Sequence, residues 1–168
     1  MKNEEVPTSQ FHILSRWYYL SLLDLCTCKE FTDDPEWIAK RLGITPFEAK
    51  RAWQMLLQGR WVKRTETGWT KSNKHLRFPT RQSQEVVRNY HRQTLEKAQK
   101  ELNKTDPESF AKRLISGASV AVNPEKIEEA KLRLHAALVE ISKLLSEGPC
   151  TEVYQLQVQL FPVTREVK

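Results

Sequence analysis

The sequence predicts an α+β protein, and three observations carry that reading. Two short helices begin in quick succession on proline-containing caps, at Asp34-Pro35-Glu36 and Thr45-Pro46-Phe47-Glu48. The residue period changes from helical to alternating just after Gly59. Near the C-terminus a long helical stretch is bracketed by two runs that read as strands.

Taken in order, the first element is expected as a helix from about Phe11 to Cys26, with Thr8 or Ser9 to cap it. Phe11, Leu14, Tyr18, Leu22 and Leu25 recur at three- and four-residue spacing, while Ile13, Leu20 and Leu23 widen the apolar face, so this helix should be mostly buried. The second starts at the Asp34 cap, turns Trp37, Ile38 and Leu42 inward, and ends at Gly43. The third starts at Thr45, where Thr45 and Glu48 can form a capping box. It runs to about Gln58 with Ala49, Ala52, Trp53, Leu56 and Leu57 inward, and Gly59 stops it. Phe47 is expected to pack on a neighbour. A β-hairpin follows, Trp61 to Arg64 and Trp69 to Lys71 about the turn Thr65-Glu66-Thr67-Gly68. Three helices, a tight turn Gly43-Ile44-Thr45 between the last two, and a hairpin directly after them follow the order of a winged helix-turn-helix. Trp37, Trp53, Trp61 and Trp69 stand where such a domain needs core, so they read as packing residues before any ligand pocket.

Beyond it, a long helix is expected from about Ser83 to Lys104, with Val86, Val87, Tyr90, Leu95, Ala98 and Leu102 as its apolar stripe. Thr105-Asp106-Pro107-Glu108 interrupts the period and marks a boundary. A strand from Leu114 to Val122, a helix from Asn123-Pro124-Glu125 to Ser146, and a strand from Val153 to Phe161 with one greasy and one glutamine face complete the chain. The expected organisation is thus a winged helix over residues 9–79, a linking helix over 80–105 and a strand-helix-strand module over 106–168. Two strands and one helix are marginal alone, so this module is expected either to pack on the first half or to form a homodimer through the strand Val153 to Phe161.

Charge distribution sharpens the functional reading. The chain carries +6 overall, from 27 Lys and Arg against 21 Asp and Glu. Residues 1–59 balance at −1 and residues 93–168 at 0, whereas residues 60–92 carry nine basic groups against two acidic ones, +7. A concentrated cationic segment beside a candidate reading helix points to DNA. On the third helix Arg51 has bidentate chemistry for guanine, Gln54 for adenine, and Lys50 suits phosphate or guanine. Arg60, Lys63, Arg64, Lys71 and Lys74, on the hairpin and its exit, suit phosphates.

Catalysis finds no support in the sequence. His12, His75, His91 and His135 fall in four different elements, without the spacing of a metal site, and the five glycines are all isolated, so no phosphate-binding loop is present. Neither a metal nor a cofactor is expected. The N-terminus lacks a basic-then-apolar leader and no apolar run is long enough to cross a bilayer. Cys26, Cys28 and Cys150 make an odd set badly spaced for bridging. A cytoplasmic location, no membrane and unpaired thiols are the expectations.

Several of these stretches resemble an uncharacterised bacterial domain-of-unknown-function family with many paralogues per genome: Trp17-Tyr18-Tyr19, Asp34 to Ile44, Gly68-Trp69-Thr70-Lys71, Asn89-Tyr90-His91, Val153-Tyr154-Gln155-Leu156 and Leu160-Phe161-Pro162. The resemblance covers about residues 11–165. It implies a winged-helix half followed by a small α/β half and a role in transcription regulation, and it supplies no catalytic or ligand residues. Members often carry a further helix-turn-helix region ahead of the matched part, whereas only ten residues precede it here. The resemblance therefore also implies a longer paralogue, or another protein, as a partner. The leading expectation is a DNA-binding transcriptional regulator. The alternative is a non-catalytic interaction or scaffold module that uses its winged helix and glutamine-faced strand to bind a protein.

Overall fold

The computed structural model describes residue 13, residues 15–72 and residues 84–165. They form a mixed α and β structure, mostly helical, with one two-stranded antiparallel sheet among the described residues. The chain divides into two units, Met1–Leu114 with Cys150–Val153, and Ile115–Pro149 with Tyr154–Lys168.

In the first unit, α1 spans Trp17–Leu25 and buries Tyr18, Tyr19, Leu22, Leu23 and Leu25. It does not begin at Phe11. Phe11 and the caps Thr8 and Ser9 lie outside the described residues, but Ile13 sits in a 3-10 turn and Arg16 is extended, at φ −134° and ψ 137°. The cause is distant in sequence. Gln93 of α4 (Gln84–Leu102) accepts the orphan N–H of Trp17 at 3.0 Å and donates to the carbonyl of Ser15 at 2.9 Å, so a side chain from another helix caps α1.

The next two helices begin where their caps place them. The Asp34 carboxylate accepts from the amides of Glu36 and Trp37 at the head of α2 (Pro35–Leu42), and Gly43 closes α2 in the left-handed conformation at φ 66°. Thr45 and Glu48 close a full capping box on α3 (Pro46–Gln58): Thr45 Oγ1 accepts from Glu48 N at 3.2 Å, and Glu48 Oε2 accepts from Thr45 N at 2.9 Å. Ala49, Ala52, Trp53 and Leu56 turn inward as expected, while Leu57 stays 39% exposed. The left-handed residue after α3 is Arg60, at φ 55°, and not Gly59. Arg60 N donates to Leu57 O and Trp61 N to Leu56 O, a Schellman closure that folds the Trp61 ring back over the helix end. Gly59 serves that fold by leaving room: a Cβ there would lie 2.5 Å from the Trp61 indole.

Strands β1 (Val62–Thr65) and β2 (Gly68–Lys71) then pair antiparallel, Val62 opposite Lys71 and Arg64 opposite Trp69. Alternation puts Val62, Arg64, Trp69 and Lys71 on one face and Lys63, Thr65 and Thr70 on the other. The inner face seats on an aromatic cluster in which Trp53 meets Trp69 edge-on at 4.9 Å and Phe31 at 5.2 Å, and Phe31 meets Trp37 at 5.7 Å. Trp53 and Trp61 are buried and Trp37 and Trp69 half-buried, which agrees with the packing role expected of all four.

The packed stripe of α4 differs from expectation. Val86, Val87 and Tyr90 pack on the core and Thr94 is 2% exposed, whereas Leu95 and Leu102 are 45% and 54% exposed. The expected stripe jumped five residues from Tyr90 to Leu95. Helical spacing carries the buried side through Thr94 and then to Lys97, whose ammonium sits 3.5 Å from the centre of the Trp17 ring. A short helix α5 (Pro107–Ala111), capped by Asp106, follows where an interruption was expected. The chain returns to this unit at Cys150–Val153: Cys150 O accepts from Lys29 N at 2.9 Å, and Arg41 binds Thr151 O and the Glu152 carboxylate.

The second unit holds a 3-10 turn at Pro124–Lys126, which Asn123 caps, and α6 (Ile127–Leu145). The two strands expected at 114–122 and 153–161 are not formed, so the C-terminal half is not a strand-helix-strand module within one chain. A strand exists only through the ladder it makes, and no ladder joins these segments to another among the described residues.

Cys26 and Cys28 are free thiols, Cys26 buried at 1% exposure. Burial pushes the Cys26 thiol from 9.0 up to about 12, so the unfolded chain ionises first as the solution becomes alkaline. The stabilising contribution is complete below pH 9 and is lost as pH rises towards 12. Urea titrations at pH 8 and pH 10 should show a loss of about 1 kcal/mol, smaller in Cys26→Ala. The buried phenols of Tyr18 and Tyr19 are also raised and add in the same direction at higher pH.

Candidate nucleic-acid interface

The α2-turn-α3 pair leaves one side of α3 open. Ala49, Ala52, Trp53 and Leu56 hold the other side in the core, so the 3.6-residue period turns Lys50, Arg51 and Gln54 outward. No carboxylate among the described residues lies within ion-pair distance of Lys50 or Arg51. Phe47 shares this exposed side at 72% exposure. It does not pack on a neighbour as the sequence suggested, because the closed capping box sets its helix position on the open side. That box also holds the Glu48 carboxyl below its usual range, through the bonds from the Thr45 amide and hydroxyl, and keeps the acid turned back to the cap.

Around Arg51, α1, α3 and α4 enclose a cleft of about 740 Å³. Arg16 at the head of α1, Arg51 of α3 and Arg92 of α4 line it together with Tyr18, Tyr19, Glu48 and Glu96. Arg16 and Arg92 were not among the residues expected here. Their convergence depends on how α4 crosses α1, which no local pattern reports.

The hairpin divides its cations. Lys63 lies on the outer face and is exposed, as is Arg60 at the helix exit. Arg64 lies on the inner face with its guanidinium over the Trp69 ring at 5.4 Å. Lys71 on that face forms an ion pair with Asp24 of α1. The expected set is therefore only partly brought together: Lys50, Arg51 and Gln54 form one exposed patch, Arg60 and Lys63 are exposed beyond the end of α3, and Lys71 is engaged within the unit. Lys74 lies outside the described residues. No group of three or more His, Cys, Asp and Glu side chains converges to hold a metal among the described residues, and no described helix is long and apolar enough to cross a membrane.

Residues 1–163 match the profile of a family described as a domain of unknown function (DUF4423). No curated protein and no solved structure matches the chain.

Proposed function

The chain belongs to the DUF4423 family, and from that premise we propose that it is a DNA-binding transcriptional regulator of winged-helix type, a binding protein and not an enzyme. In this reading α3 enters the major groove and the β1-β2 hairpin is the wing. The observation that supports it is the open side of α3, where Lys50, Arg51 and Gln54 are exposed with no carboxylate paired to either cation among the described residues. Arg51 and Gln54 reach base edges, Lys50 reaches a phosphate or a guanine, and Arg60 and Lys63 hold the backbone. Lys71 contributes mainly to position, since its pair with Asp24 ties β2 to α1. Arg64, stacked on Trp69, contributes an oriented charge at the edge of the wing.

Fluorescence anisotropy with mixed genomic duplex tests the reading. Neutralising about four to five phosphates gives a slope of roughly −4 to −5 in log affinity against log salt. A slope shallower than about −2, or no binding at low salt, would discard DNA as the ligand. One observation favours a second reading: Phe47, 72% exposed beside the cationic patch, suits a protein-docking surface. Phe47→Ala should leave DNA affinity within about threefold under the first reading.

A further inference from the structure

The second unit has no core of its own. No described residue of Ile115–Pro149 or of residues 154–165 is buried, although this stretch carries fourteen exposed large apolar side chains. Among them Leu132 is 73%, Leu144 64%, Phe161 69% and Val163 78% exposed. Helix α6 is apolar on more than one side: Ile127, Ala130, Leu134 and Leu138 make one half-buried stripe, while Leu132 and Val139 stand off it. A helix of that kind requires cover on two flanks. At roughly 60 Å² of apolar surface for each of the fourteen side chains, about 800 Å² awaits burial, which is what each partner contributes to a standard interface.

Residues 154–161 indicate what kind of surface supplies the cover. They alternate Tyr154, Leu156, Val158 and Leu160 with Gln155, Gln157 and Gln159, and they contain no charge and no proline. Segments able to pair as a strand edge are normally guarded by lysine, proline or a bulge, and these eight residues carry neither lysine nor proline. The segment is also self-complementary. Paired antiparallel with an identical segment about Gln157, Leu156 faces Val158 and Tyr154 faces Leu160, greasy side on greasy side, with no like charges opposed. The rest of the unit agrees: it carries six basic and six acidic residues, so an identical surface approaches it without net repulsion, whereas the remainder of the chain holds the whole +6.

We propose that the second unit is a homodimerisation module and that a second copy of this chain is what covers it. Two copies meet about a two-fold axis, residues 154–161 pair as antiparallel strands across it, and the two α6 helices cover the greasy side of the resulting ribbon. The sheet that one chain cannot build is completed by the other. This inference does not rest on the DNA-binding reading.

Sedimentation velocity of the full chain at tens of micromolar tests it. The expected mass is about 39 kDa, twice the chain's 19.7 kDa, and the double variant V158R/L160R should raise the dimer dissociation constant more than about 100-fold with the tryptophan fluorescence of the first unit unchanged. A mass of about 20 kDa for the unaltered chain would overturn the proposal and leave the first unit, or another protein, to cover this face. A dimer indifferent to V158R/L160R would overturn it too. Should that variant not fold, Gln157→Cys decides in an otherwise unaltered chain. Beside the two-fold axis it should crosslink to a dimer under mild oxidation, while Glu66→Cys, on the hairpin turn of the first unit, should not. Equal crosslinking of the two would refute the strand pairing.

Discussion

Replacing Trp53 by alanine is expected to destabilise the first unit by about 3–5 kcal/mol. Trp53 is 6% exposed on the inner side of α3, and two other aromatic rings lean on it: Trp69 edge-on at 4.9 Å and Phe31 at 5.2 Å. The substitution removes the indole's burial and leaves a cavity, and it also cancels two aromatic contacts, each of about 0.5–1.5 kcal/mol. Because Trp69 lies on the inner face of β2, the loss falls on the seat of the hairpin as well as on α3. Small domains carry only about 5–15 kcal/mol in total, so the variant should be partly unfolded at moderate urea. Trp53→Phe, which keeps a ring in the site, should recover about half. Urea unfolding of the full chain, followed by tryptophan fluorescence and far-ultraviolet dichroism, measures both. A cost below about 1 kcal/mol for the alanine variant would mean that this cluster does not hold the hairpin.

That cluster was legible in the sequence because its scaffolding is local. The Asp34 and Thr45 caps, Gly43 and the change of period after Gly59 each act within a few residues, and α2, α3 and the hairpin lie where those signals put them. What escaped the sequence acts at a distance or depends on one particular turn. Gln93 caps α1 from 76 residues away, so the helix begins at Trp17 and not at Phe11. Arg60, and not Gly59, takes the left-handed conformation at the end of α3, while the bare glycine position leaves room for the Trp61 ring. Residues 153–161 have the alternation of a strand and residues 114–122 its small and β-branched composition, but neither signal says which neighbour is present.

The candidate interface divides in the same way. Helical periodicity alone placed Lys50, Arg51 and Gln54 on the open side of α3, since the apolar residues between them are unambiguous. Counting charges along the chain could not show that Lys71 meets Asp24, that Arg64 lies over Trp69, or that Arg16 and Arg92 join Arg51 around one cleft. A run of like charges on a hairpin is split by the pleat: neighbours in sequence point to opposite faces, and those on the inner face find partners in the fold.

The split yields a graded expectation for function. K50E/R51E should lower DNA affinity by about 30- to 1,000-fold, the equivalent of about 2–4 kcal/mol, since it removes one contact with base-reading chemistry and one phosphate contact and sets two repulsive charges in their place. Stability should move by no more than about 0.5 kcal/mol, because both side chains are exposed and neither pairs with a carboxylate among the described residues. Lys71→Ala should behave in the opposite sense. It unties β2 from α1 and leaves Asp24 without Lys71, a solvent-accessible pair that contributes at most about 1 kcal/mol to stability, while DNA affinity falls by less than about tenfold. Lys63→Ala, outward on β1, should reduce the salt slope by about one and weaken all duplexes alike. Anisotropy titrations of the three variants at two salt concentrations, with urea unfolding in parallel, separate these outcomes. If K50E/R51E binds as the unaltered chain does, α3 is not the reading helix, and the exposed Phe47 side becomes a surface for a protein instead.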